Sequence, residues 1–245
     1  PFPIFYVFLH IIMSNPYFRF QKFTIHHDRC AMKVGTDGVL LGAWGCVDGH
    51  RILDIGTGSG LIALMAAQRN PDAEVLGIDI DEGAVSQAQE NIVESSFGER
   101  VGCILQDILT FQPEECYDAI LCNPPFYTED TLPPDMARSL ARNSASLPFE
   151  NLIGSVCKIL SEKGFFSVIL PVQAMQTFTG LCLDKGLYLV RRCLVRTTPK
   201  KTPRRALLTF AMDNSQTTEE TELCLMNPDG SRSLAYSELT KDFYL

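Results

Sequence analysis

Three clusters of residues have types and spacing suited to chemistry on a nucleoside. The first is Asp54-Ile-Gly56-Thr-Gly58-Ser-Gly60, placed where the apolar run Arg51-Ile-Leu-Asp-Ile55 gives way to helical periodicity. Glycines there let the backbone turn tightly and approach a ligand, while the N–H groups of the following helix face it. A dinucleotide fingerprint would need a further glycine at position 61, which is Leu61, so the loop suits a nucleoside with a compact tail. Asp79 closes the next β-rich run twenty-one residues after Gly58, where a carboxylate can accept both ribose hydroxyls. Asp81, just before Glu82, reads instead as a helix cap.

The third cluster is Asn123-Pro124-Pro125-Phe126, after the run Tyr117 to Cys122. Two prolines remove two N–H donors and fix the backbone, leaving carbonyls to face whatever docks there. An amine conjugated to a purine ring is a poor nucleophile. Its two N–H groups can be accepted by the Asn123 side-chain oxygen and the Pro124 carbonyl, which turns the nitrogen lone pair toward an electrophile. Phe126 offers a flat face to a base taken out of its stack, a contact worth about 1–3 kcal/mol.

These clusters need a scaffold that presents strand ends along one edge, and the chain supplies its pattern. Strands are expected over 51–55, 74–79, 101–106, 117–122, 165–170, 187–195 and 206–212. Helices are expected over 60–69, 82–95, 149–160 and 171–185. Such alternation gives an α/β fold: a mainly parallel seven-stranded sheet with helices on both faces, its last strand antiparallel. Residues 14–245 are expected to form one domain, with a basic connector at 191–205, a linker at 214–218 and an acidic tail to residue 245. Residues 1–13 are apolar but too short to span a bilayer and lack the positive start of a signal peptide, so they are expected to be an extension without function.

Composition narrows the classes. A chain of 245 residues with 46% hydrophobic and 20% charged residues can build a large core. A net charge of −8 excludes a uniformly basic nucleic-acid coat. Charge is unevenly spread, however: residues 185–205 hold eight basic and no acidic residues, whereas 213–245 hold seven acids and two bases. The basic stretch is an electrostatic footprint for a phosphate backbone, and Arg138 and Arg142 in the segment after Phe126 are further candidates. Nine cysteines without a C-x-x-C pair argue for a reducing, cytoplasmic setting; Cys103, Cys116 and Cys122 are expected to be buried small apolar groups. Trp44 is expected in the core. His26 and His27 have a partner in Asp28, and four histidines without a thiol pair give no metal pattern.

The order D-x-G-x-G-x-G, acidic strand end, Asp107, then N-P-P-F resembles the Rossmann-like class I S-adenosylmethionine methyltransferases that modify amino nitrogens. His27-Asp28-Arg29-Cys30-Ala31-Met32-Lys33-Val34-Gly35-Thr36-Asp37-Gly38, with Leu40-Leu41-Gly42-Ala43-Trp44, is similar to the bacterial tRNA1(Val) adenine-37 N6-methyltransferase family, from about Phe18 to Leu245. The resemblance implies that Gly56, Gly58 and Gly60 cradle the amino-acid part of S-adenosylmethionine, ordered by Asp54 through water. Asp79 would hold the ribose, Asp107 accept from the adenine amine, Ile80 pack on that ring, and the segment from Lys33 to Asp37 close over the methionine end. Asn123, Pro124 and Phe126 would receive the target adenine of a tRNA held by the basic segment, with no membrane and no obligate protein partner. Phe126 departs from the tyrosine frequent in the family, keeping a stacking face but no hydroxyl. The reaction implied is direct displacement, helped mainly by orientation and desolvation. A release-factor glutamine or an rRNA guanine is the alternative acceptor, because N-P-P-F is shared by those methyltransferases.

Overall fold

A computed structural model describes residues 15–30, 33–125, 147–215 and 217–245. Among these, ten strands and six helices form. A short antiparallel hairpin, β1 (Tyr17–Arg19) and β2 (Thr24–His26), precedes helix α1 (Thr36–Trp44). Then come β3 (Arg51–Ile55), α2 (Leu61–Arg69), β4 (Glu74–Asp79), α3 (Glu82–Glu94), β5 (Val101–Leu105) and β6 (Tyr117–Cys122). From residue 149 onward follow α4 (Phe149–Ile159), β7 (Leu160–Pro171), α5 (Val172–Asp184), β8 (Tyr188–Arg196), β9 (Arg205–Ala211), β10 (Glu219–Cys224) and α6 (Leu234–Thr240). Phe126, Arg138, Arg142 and the segment 1–13 lie outside the described residues.

Eight strands form one sheet in the order β10-β8-β9-β7-β6-β3-β4-β5. All pair in parallel except β9, which runs against both β7 and β8. The central strands are short, apolar and β-branched, as strands covered on both faces must be. One face buries Leu41, Leu64, Met65 and Ala88 from α1, α2 and α3. The other buries Leu152, Val156 and Phe178 from α4 and α5, with Phe178 meeting Phe149 edge-on at 4.9 Å. Phe178→Ala would remove a fully buried ring and cost about 3–5 kcal/mol.

Helix α3 begins where Asp81 Oδ1 accepts from Ala84 N at 2.9 Å. Helix α1 was not visible in the hydropathy pattern because it is buried all round: Gly38 through Ala43 are all inside, so no polar face marks a period. The acidic tail also folds. Its Glu219-Glu-Thr-Glu stretch forms β10, an eighth strand pairing with β8, although glutamate is poor in strands. The last residues then close on the hairpin: Gln21 N donates to Phe243 O at 2.9 Å, and Tyr244 stacks on Phe20 at 6.0 Å. Among the described residues no helix is long and apolar enough to cross a membrane.

Candidate active site at the carboxyl edge of the sheet

Register brings the three clusters together. Ile55 of β3 pairs with Ile78 of β4 on one side and Cys122 of β6 on the other. Gly56 therefore leaves the sheet between Asp79 and Asn123, each one strand spacing away, about 4.8 Å. Because β4 and β6 flank β3 on opposite sides, the crevice there is a topological switch point, the place where open α/β sheets bind ligands.

The loop from Gly56 to Gly60 is held by its neighbours. Gly56 N and Thr57 N both donate to Ile78 O, at 2.9 and 3.0 Å. Gly58 N donates to Asp79 Oδ2 at 2.9 Å, while Asp79 Oδ1 accepts from Asp81 N at 3.0 Å. Each carboxylate oxygen has two lone-pair sites, so half-buried Asp79 keeps capacity for hydroxyl donors. Gly56 and Gly58 have φ of +69° and +55°, which side chains other than hydrogen rarely adopt, and a Cβ on either would meet nothing within 4 Å among the described residues. Among those residues this side of the loop is open. Gly60, at φ +81°, backs onto α3: a Cβ there would stand in contact with Ala88 at 3.4 Å.

Beneath the loop, Asp54 is fully buried. Its Oδ2 accepts from Thr57 Oγ1 at 2.7 Å and Ala63 N at 3.2 Å, and its Oδ1 has no partner among the described residues. Burial pushes its carboxyl up to about 7, against the two hydrogen bonds that favour the anion. Asn91 is a positioning residue that the sequence reading missed. Its Oδ1 accepts from His26 N, and its Nδ2 donates to His26 O and Ser59 O, all within 2.8–2.9 Å. The available signal was an asparagine on the same helical face as Ala88 and Ile92, where only a satisfied polar group belongs.

On the β5 side, Asp107 stands two residues past the strand and is exposed; its Oδ1 accepts from Leu109 N at 2.8 Å. Gln106 N donates to Asp79 O at 2.8 Å, which ties this loop to the β4 end. Ile80 and Leu105 lie 59% and 54% exposed at that edge, where apolar surface is available to a planar ring. On the β6 side, Asn123 is half-buried, Pro124 buried and Pro125 exposed. Lys33 is exposed two residues ahead of α1's cap Gly35, and Asp37 accepts from Arg205 Nε at 2.8 Å.

Several expectations need correction. The basic stretch is not a uniform patch: Arg191, Arg192 and Arg196 of β8 are paired with Glu219 (3.4 Å), Glu220 (2.6 Å) and Glu222 of β10. Arg191 also lies 4.4 Å from the ring centre of half-buried Trp44. Cys103 and Cys122 are buried, but Cys116 is exposed in the turn before β6. His26 meets Glu94 at 3.4 Å and His27 the Asn15 carbonyl at 3.1 Å, rather than Asp28.

The Methyltransferase small domain matches residues 37–149, which include the glycine loop, Asp79 and Asn123. A tRNA1(Val) (adenine(37)-N6)-methyltransferase of Bacteroides thetaiotaomicron is 44% identical over 235 residues, 95% of this chain and 99% of that protein. This chain belongs to that methyltransferase family. Proteins of the same name from Tolumonas auensis and Citrobacter koseri are 42% and 41% identical, over 95% and 93% of this chain and 98% and 94% of theirs. The fold is that of solved class I methyltransferases. A predicted O-methyltransferase of Agrobacterium tumefaciens superposes with a TM-score of 0.68 at 18% identity, covering 84% of this chain and 96% of that one. A glycopeptide N-methyltransferase complexed with S-adenosylmethionine superposes at 0.55, with 10% identity, over 74% and 100% of the two chains.

The enzyme is a methyltransferase and its cofactor is S-adenosylmethionine, which when bound supplies an electrophilic methyl group. The residues at the carboxyl edge fit that molecule. The cradle at Gly56 and Gly58 is open, and the orphaned Asp54 Oδ1 lies beneath it. Asp79 is anchored with lone pairs to spare.

Proposed function

We propose that this methyltransferase transfers a methyl group from S-adenosylmethionine to the exocyclic N6 amine of an adenine in tRNA, adenine 37 of tRNA1(Val). The observation that carries this is the β3–β6 register, which sets the Asn123–Pro124 corner one strand from the glycine loop. It is supported by the names of relatives 39–44% identical over about 95% of the chain. In this reading Gly56, Gly58 and Gly60 hold the amino-acid end of the cofactor over Asp54, and Asp79 accepts from the ribose hydroxyls. Asp107 accepts from the cofactor's adenine amine beside Ile80, and the Lys33–Asp37 segment covers the methionine end. Asn123 Oδ1 and the Pro124 carbonyl accept the two N–H groups of the target amine and hold its lone pair on the line of attack. Phe126 supplies the stacking face.

The tRNA contact falls at one part of the basic segment. Because β9 reverses direction, β8 runs parallel to β7 and ends at the same edge as β6. The turn 197–204 emerges there, about two to three strand spacings, or roughly 10–14 Å, from the Asn123 corner. Lys200, Lys201 and Arg204 are exposed in it and have no acidic partner among the described residues. They are the cations left for phosphates once β10 has paired Arg191, Arg192 and Arg196.

The test is methyl transfer from labelled S-adenosylmethionine to tRNA1(Val), the same tRNA with guanine at 37, bulk rRNA and a release factor. Label in N6-methyladenine of the first substrate alone is expected. Label in guanine or in a glutamine side chain would overturn the assignment.

A further inference from the structure

Asp37 and Arg205 are 168 residues apart in sequence, and Arg205 Nε donates to Asp37 Oδ2 at 2.8 Å. Each end of this ion pair is fixed to a different part of the edge. Asp37 lies in the first turn of α1, whose next residue, Gly38, faces the first residue of α2 directly after the glycine loop: a Cβ at 38 would stand 3.1 Å from Leu61 Cδ2. One turn on, a Cβ at Gly42 would stand 2.6 Å from Met65 Sδ, so at these glycines the α1 backbone packs directly against the α2 side chains Leu61 and Met65. Arg205 opens β9, paired with both Pro171 and Val195, and Arg204 N closes the basic turn onto Val195 O at 2.9 Å.

An acid in the first turn of a helix gains a little from the helix dipole, and a surface ion pair is worth little on its own. Neither effect requires a partner from the far side of the basic turn. We propose that Asp37 and Arg205 are a positioning pair that couples the two substrates: a polyanion held by the 197–204 turn acts on Arg205 at its exit and, through the ion pair, on the α1 start beside the glycine loop. By linkage each ligand then changes the affinity of the other by the same factor. The coupling rests on the reading of the glycine loop as donor cradle and of the turn as RNA contact.

The experiment is a linkage measurement on the full chain. Dissociation constants are measured for S-adenosylhomocysteine with and without saturating tRNA, and for tRNA with and without saturating S-adenosylhomocysteine. The proteins are wild type, Arg205→Gln, Asp37→Asn, the double variant, and the charge exchange Asp37→Arg/Arg205→Asp. In the wild type each ligand is expected to tighten the other by the same factor, about two- to fivefold, the span that a part-exposed ion pair can carry. The factor is expected to fall to near one in either single variant, to fall no further in the double, and to recover in part in the exchange. Melting temperatures should stay close to wild type, since both side chains are about one-third exposed, 37% and 30%. A factor near one in the wild type, or an unchanged factor in both single variants, would overturn the coupling. Failure of the underlying reading looks different: the wild type would not bind tRNA at all, or would methylate nothing in it, and the coupling would fall with it.

Discussion

The carboxylate of Asp79, at the end of β4, accepts from the amide of Gly58, in the loop that leaves β3, at 2.9 Å. One side chain thus shapes the glycine loop and presents itself to the nucleoside that the loop would hold. Asp79→Ala should therefore weaken S-adenosylhomocysteine binding by about 1.5–3 kcal/mol, roughly ten- to a hundredfold, because charge-assisted hydrogen bonds are lost. Asp79→Asn, which keeps an acceptor for Gly58 N, should fall between. Calorimetric titration checks this; equal affinity in wild type and Asp79→Ala would remove Asp79 from the site.

Asn123→Ala should separate binding from chemistry. In the proposed reading the side chain orients the target amine rather than holding the cofactor, so cofactor affinity should hold while kcat falls about a hundredfold, the scale of a small misplacement of reacting groups. Single-turnover methylation beside a cofactor titration reads both quantities. A matched loss in the two would assign Asn123 to the fold of the edge instead.

Burial raises the Asp54 carboxyl to about 7, above its ordinary 3.8. Between those values the folded chain keeps a proton that the unfolded chain has lost, so Asp54 makes the apo protein less stable as pH climbs from about 4 to about 7. Asp54→Asn should flatten this dependence of the melting temperature. Persistence of the same slope in the variant would trace it to other groups.

Glutamates 219, 220 and 222 mask three arginines of β8. Changing all three to glutamine should expose those arginines to non-cognate RNA and steepen the salt dependence of binding by up to about two log units per log unit of salt, at roughly 0.7 per phosphate contacted. Lys200→Gln and Arg204→Gln should each flatten it by about one contact. Filter binding from low to moderate salt gives the slopes, and identical slopes throughout would refute the division between masked and open cations.

Gly77 of β4 lies against Thr57, and a Cβ there would come within 2.7 Å of the hydroxyl that Asp54 accepts. Gly77→Ala should therefore cost about 1–3 kcal/mol through overpacking and weaken cofactor binding, without contact to the cofactor itself. Thermal melting and titration together check it.

Much of this was legible in the chain because local signals agreed. The central strands 51–55, 74–79 and 117–122 match the structure to the residue, since short apolar runs that end at a glycine loop, a helix-capping aspartate or a proline pair allow little else. The three clusters were legible as chemistry because backbone freedom at Gly56 and Gly58 and its restriction at Pro124 are written in residue type. What escaped depended on long-range partners. Helix α1 has no polar face to give it a period. Strand β10 is stabilised by arginines about 28 residues away rather than by its own propensity. For the same reason the stretch of eight cations was overread, because a linear count cannot see the acids that fold onto four of them, three glutamates of β10 and Asp37 of α1.

The reversed direction of β9 has an evolutionary corollary. It makes residues 197–204 a loop hung from a fixed hairpin, anchored by Arg204 N on Val195 O, so its length and composition can change while Arg205 keeps its hold on Asp37 and the strand ends at Asp79 and Asn123 keep their places. With that loop as the proposed RNA contact, exchanging it between related enzymes should redirect them among RNA stems while the strand ends that hold the reacting groups stay as they are.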